Sequence, residues 1–191
     1  MSVLAPEKGC LLLDVACGGG YLLAEAEAYG LQATGVDFSS EAVKLSHANA
    51  ARSEVVLGDG ECLPFADDSF DYVANLGSLE HFFNPEAGVR EMRRVLKKNG
   101  RVLVLVPNSY FLMTVWNVFC QGATGRTTEQ MLDRWATRVE WSEMLQAGGF
   151  RIDKVLKHNY SSRCSPLLYK IVRPFIPLNL SYSFLFCCSK P

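Results

Sequence analysis

The run Cys10-Leu11-Leu12-Leu13-Asp14-Val15-Ala16-Cys17-Gly18-Gly19-Gly20 constrains this chain more than any other stretch. Its apolar half is continuous rather than alternating, the pattern of a strand buried on both faces at the centre of a parallel sheet. Three glycines then break the strand, and Tyr21 to Tyr29 restarts as a helix stopped by Gly30. Strand, glycine turn and helix N-terminus together form a ligand cradle, because a backbone without Cβ atoms can tighten and approach a ligand closely.

Asp14 narrows the ligand. A dinucleotide site offers helix-end N–H groups to a pyrophosphate, which a carboxylate on the strand would repel. The third glycine of G-x-G-x-x-G would fall at Leu23, so that pattern is not met. A carboxylate suits a cationic ligand, and S-adenosylmethionine carries both an ammonium and a sulfonium. With Asp14, Ala16, Gly18 and Gly20 standing at the spacing D-x-G-x-G-x-G, the chain resembles the class I S-adenosylmethionine-dependent methyltransferases, in particular their UbiE-like type 11 small-molecule branch. Ala16 replaces the first glycine and should crowd the turn slightly. The resemblance implies an α/β, Rossmann-like, doubly wound sheet of seven strands, mostly parallel with an antiparallel last strand. It also implies a donor site holding Asp14, Ala16, Cys17, Gly18 and Gly20, with no metal.

The rest of the chain follows the same alternation. Residues 31–38 read as a second strand ending on Asp37 and Phe38, with Ser39 and Ser40 capping a helix that runs to about Arg52. Asp37 stands where such sheets place a carboxylate under a ribose. After a third strand, Asp59-Gly60-Glu61-Cys62-Leu63-Pro64-Phe65 is similar to the family's G-D-a-e-x-L-P-F segment. That similarity implies that Asp59 accepts from the adenine amino group, and that backbone N–H groups at Gly60 and Glu61 read the ring. Phe38 and the Cys62–Leu63 pair would sandwich the base. The fourth strand, 70–76, carries Asn75 near its end, followed by Glu80 and His81, beyond the strand end where open α/β sheets bind ligands. Asn84 and Pro85 open a helix that Asn99-Gly100 should end, and 101–108 is the fifth strand. A helix over 140–147, a sixth strand over 150–158 and a last over 182–189 complete the sheet. Residues 109–138 and 161–180, apolar without clean periodicity, read as cap segments of a single domain over 1–191.

Composition excludes several classes. A net charge of −1 with 49% apolar residues is neither a disordered chain nor a polycation seeking nucleic acid. The basic run Arg90, Arg93, Arg94, Lys97, Lys98 and Arg101 reads as a solvated helix face. Seven scattered cysteines without a C-x-x-C pair read as buried free thiols in a reducing cytoplasm. The apolar runs fall short of the roughly 18 residues a spanning helix needs, so no stable membrane insertion is expected. Only nine residues precede Cys10, too few for a long helix over the site.

In-line methyl transfer needs alignment in a dry pocket more than it needs a nucleophile, and such orientation is worth roughly 7–11 kcal/mol. His81 is the candidate base, with Glu80 second, if the acceptor must lose a proton. The apolar caps favour a small or greasy acceptor of quinone, lipid or aromatic type. Two other readings stay open: a protein that binds the donor without catalysis, and an NAD(P)-dependent oxidoreductase. The second lacks both its third glycine and a Y-x-x-x-K pair.

Overall fold

A computed structural model of the chain describes residues 3–123, 132–159 and 171–191. Seven strands form one sheet: β1 (Leu11–Val15), β2 (Gln32–Asp37), β3 (Glu54–Leu57), β4 (Phe70–Leu76), β5 (Leu96–Pro107), β6 (Arg151–His158) and β7 (Ser183–Ser189). They lie in the order β3-β2-β1-β4-β5-β7-β6. The first five run parallel. Only β7 is reversed, and because it pairs antiparallel with both β5 and β6, β6 points with the parallel set. The strand order turns outward in both directions from β1 and β4. Their carboxyl ends therefore flank the crevice where such sheets bind ligands.

Helices α1 (Tyr21–Tyr29) and α2 (Ser40–Asn49) cover one face, and α3 (Pro85–Val95) and α5 (Arg138–Ala147) the other; α4 (Leu112–Gln121) follows β5. Successive strand residues feed opposite cores, as the period of two requires. Leu12 packs with Leu23, Ala26 and Ala33 beneath α1. Leu13 and Val15 pack with Val89, Met92, Trp141 and Leu145 beneath α3 and α5. Trp141 is fully buried yet satisfied, its Nε1–H donating to the Pro107 carbonyl at 2.9 Å. By the same alternation Asp14 shares the face of Leu12, pointing into the side that holds α1.

Several boundaries depart from the sequence expectation. Helix α2 stops at Asn49 rather than Arg52, because the Glu27 carboxylate takes the Arg52 N–H and the Ser53 hydroxyl and pulls the chain out of the helix. Helix α3 ends at Val95, four residues before Asn99; the Asp68 and Ser69 N–H groups bond the carbonyls of Arg94 and Val95, and Leu96 begins β5. The basic run is not simply a solvated face. Arg94 donates to the carbonyls of Leu63 and Phe65 and to Glu91 and Asp67, clamping the loop after β3 onto α3. Arg93 reaches the Gly149 carbonyl, and Lys97 pairs with Asp71. Helix α4 was not expected within 109–138, since a helix with no buried residue shows no one-sided stripe. Of the second cap segment, Leu167, Leu168 and Tyr169 lie outside the described residues, while Arg173–Phe175 and Leu178–Leu180 are 3-10 turns.

Candidate active site

The glycine turn after β1 takes its shape from its neighbours. Gly20 precedes α1 at φ 75°, and a Cβ there would lie 2.3 Å from the Ser46 hydroxyl of α2, so only glycine lets the two helices approach. Ala16 occupies the left-handed region at φ 59°. A non-glycine residue there costs roughly 1–2 kcal/mol, so Ala16 strains the turn and does more than crowd it. Cys17 donates its N–H to the Val36 carbonyl, and its thiol turns inward toward Ser46 and Leu23. Burial pushes that thiol up to about 12, which leaves Cys17 only its backbone to offer a ligand.

Asp37 fastens this turn to β2. One carboxylate oxygen accepts the Gly18 N–H at 2.8 Å and the other the Ser39 N–H at 3.0 Å. Each oxygen keeps a second lone pair for an outside donor. Asp14, in register with Gly35 of β2 and Ala74 of β4, is only 4% exposed and has no hydrogen-bond partner among the described residues. Burial first, and the Asp37 charge second, push its pKa up to about 8. A buried carboxyl with no partner is a costly arrangement that a bound cation would relieve. The residues therefore fit S-adenosylmethionine.

The loop after β3 lies beside Asp37, whose carbonyl accepts the Gly58 N–H. Asp59 is exposed and uses one oxygen to accept the Glu61 N–H at 2.8 Å, leaving the other open. Glu61 holds the Asn84 N–H. Gly60 has a structural reason for being glycine: a Cβ there would lie 2.5 Å from the Phe82 ring. Phe38 is 81% exposed at the end of β2, an uncovered aromatic face beside Asp37. Leu63 is buried in the core and cannot form the other half of a base sandwich, so of the pair only Cys62 remains at the surface. Asn75 is spent on the scaffold; its amide joins the Val15 carbonyl to the Leu79 N–H, tying β1 to the turn beyond β4.

That turn, Leu79–His81, carries the second half of the site. Glu80 is 8% exposed, and its Oε2 has no partner among the described residues. Desolvation raises its pKa to about 7. His81 Nδ1 lies 2.8 Å from the Leu132 carbonyl. A carbonyl only accepts, so Nδ1 carries the proton and Nε2 keeps its lone pair. Carboxylate oxygens flank both ring nitrogens, Glu80 at 3.9 Å from Nε2 and Asp133 at 4.0 Å from Nδ1. Nothing in the sequence singled out Leu132, Asp133 or Arg94, because each acts through a contact with a distant segment. A cleft of about 760 Å³ lined by Leu4, Arg101, Lys154 and Cys187 belongs to the opposite end of the sheet, away from these residues.

Known proteins resemble this chain in sequence over its first half and in fold. A family model described as a methyltransferase domain matches residues 13–104. Demethylmenaquinone methyltransferase of Staphylococcus epidermidis is 39% identical over 111 residues, covering 55% of this chain and 46% of that protein. The ubiquinone/menaquinone biosynthesis C-methyltransferase UbiE of Geotalea daltonii is 37% identical over 103 residues, covering 49% and 44% respectively. The chain thus spans about half the length of the curated relatives it matches. In fold, an S-adenosylmethionine-dependent methyltransferase from Mesorhizobium loti superposes with a TM-score of 0.73 at 16% identity, covering 98% of this chain and 94% of that one. One from Methanosarcina mazei gives 0.72 at 20% identity, covering 97% and 94%. The matched segment, just under half of the chain, holds the glycine turn, Asp37, the loop after β3 and the turn beyond β4, and over it this chain is similar to a methyltransferase domain.

Proposed function

We propose that this chain binds S-adenosylmethionine in the crevice beyond β1, β2 and β3 and transfers its methyl group to a small apolar acceptor of quinone or lipid type. The observation that carries the reading is Asp14, a buried carboxylate without a partner, beside the bond from Gly18 to Asp37. When bound, the donor supplies a methyl carbon on a sulfonium leaving group. Asp37 orients the ribose hydroxyls with its two remaining lone pairs, and Asp14 balances the positive charge. The free oxygen of Asp59 takes the adenine amino group, and Phe38 stacks on the ring. Gly18, Gly20, Ala16, Cys17, Gly60 and Glu61 contribute backbone. Asn75 keeps the ends of β1 and β4 in register without touching the ligand.

His81 holds the proton of an acceptor at Nε2, with a Glu80 oxygen 3.9 Å away as its partner in that step. Free thiols at the six described cysteines support a cytoplasmic setting. The names of the relatives favour a reduced quinone as acceptor. Turnover of methyl-labelled S-adenosylmethionine across reduced quinones, lipids and small aromatics tests this. Transfer to an apolar acceptor is expected. Tight donor-product binding with no transfer to any of them would instead mark a donor-binding protein without catalysis. Replacing His81 by Ala should leave donor binding intact and slow turnover by about 10²-fold or more. Equal loss of both would mean that His81 only supports the turn.

A further inference from the structure

Exposed apolar side chains collect on one rim of the sheet. Helix α4 has ten residues, none charged and none buried. Met113, Val115, Trp116, Val118 and Phe119 all stand open to solvent, Phe119 at 83%. The segment entering β7 adds Ile171 and Phe175, the latter 81% exposed. The two segments are joined by the edge-to-face contact of Phe111 and Tyr182 and by Asn108, whose amide donates to the carbonyls of Asn179 and Ser181. Ser183 pairs with Pro107, so both segments lie beyond the carboxyl end of β5, on the rim that carries Glu80 and His81. Apolar exposure of this extent marks an interaction surface.

Charge identifies the partner. Among the described residues of 108–138 and 171–182, Arg134, Arg138 and Arg173 are cations and Asp133 is the one acid, facing His81. A second copy docking by the same patch would set Arg134, Arg138 and Arg173 against a surface of the same sign. An anionic lipid surface satisfies both features, since aromatic and aliphatic side chains enter the headgroup boundary while cations meet lipid phosphates. We infer that the rim formed by α4 and the segment entering β7 docks on the surface of an anionic bilayer, with the active-site crevice opening toward the lipid. No helix among the described residues is long and apolar enough to cross a membrane, so the contact is interfacial. Delivery of a lipid-like acceptor through this face rests on the methyltransferase reading; bilayer docking itself does not.

Flotation of the full chain, without any methyl donor, on vesicles of phosphatidylcholine alone or mixed with phosphatidylglycerol tests the inference. The chain should float with the anionic vesicles and leave the zwitterionic ones largely unbound. Trp116→Ser combined with Phe119→Ser should weaken vesicle binding about tenfold or more, at exposed positions whose replacement leaves the circular dichroism spectrum unchanged. Arg173→Glu should weaken binding to anionic vesicles alone. An unbound wild-type chain, or a double variant that floats like the wild type, would overturn the inference. So would a dimer in sedimentation velocity that the same double variant dissolves, for the rim would then be an interface between copies. Because donor binding is measured separately, failure here leaves the methyl-donor site standing.

Discussion

At the scale of single residues, Ala16 in the turn after β1 and Asp14 within that strand carry different kinds of strain. Ala16 holds a left-handed backbone that glycine adopts freely, so Ala16→Gly should stabilise the fold by about 1 kcal/mol, read as a rise in the urea midpoint at unchanged slope. Asp14 stores electrostatic cost. Its pKa is raised from 3.8 to about 8, so the folded chain keeps a proton that the unfolded chain releases. The contribution of Asp14 to stability is therefore fullest at low pH and is lost as pH rises through the interval from about 4 to 8. Asp14→Asn should remove that slope, so that melting temperatures of the two proteins diverge in favour of the variant as pH approaches 8. Parallel melting curves at every pH would show that Asp14 is already ionised in the free protein. A cation entering the crevice draws the proton off, and calorimetry in buffers of different ionisation enthalpy should register proton release on donor binding below pH 8. The identity of Asp14 was legible in the sequence because a carboxylate on a buried strand contradicts a phosphate ligand. Its lack of a partner was not, since that depends on what β2, β4 and α2 leave unfilled.

Among the elements, the loop after β3 shows how far local patterning reaches. Its residues from Asp59 to Phe65 were readable as a unit, but what holds them was hidden in a helix read as solvated. Arg94 lies 27 to 31 residues from the loop groups it binds, and no spacing rule connects them. Removing its side chain takes the guanidinium donors from the Leu63 and Phe65 carbonyls and from Asp67, and leaves Glu91 with the Leu63 N–H alone. Arg94→Ala should therefore cost about 2 kcal/mol and weaken donor binding through a loosened Asp59, whereas the exposed Arg90→Ala should do neither. Equal urea midpoints for the two variants would remove the clamp from the account. Helix α4 is the converse case. Its boundaries could not be read because the usual sign of a helix is a buried stripe, and it buries nothing. The early end of α3 has a different origin, since hydrogen bonds from Asp68 and Ser69 outweigh the turn signal of Asn99-Gly100.

For the whole molecule, the sheet order places the ends of β3, β2 and β1 side by side, so that Asp59, Asp37 and Asp14 come from three neighbouring strands to one crevice. Glu80 and His81, from beyond β4, sit across the point where the order turns outward, and the apolar rim lies past them. The proposed donor half, proton-handling half and docking rim thus share one end of the sheet. The parallel arrangement was legible from the alternation of strand and helix signals, and its single reversed strand only from the resemblance to a known family. The approach of Leu132 and Asp133 to His81 was not, because it joins segments about 50 residues apart through a carbonyl and a charge. Calorimetric titration of S-adenosylhomocysteine into the wild-type chain and into a folded Asp37→Ala variant tests the donor site most directly. Loss of two charge-assisted hydrogen bonds, each worth about 1.5–3 kcal/mol, predicts an affinity at least about a hundredfold weaker in the variant. Equal affinities, or no binding to the wild type, would contradict it.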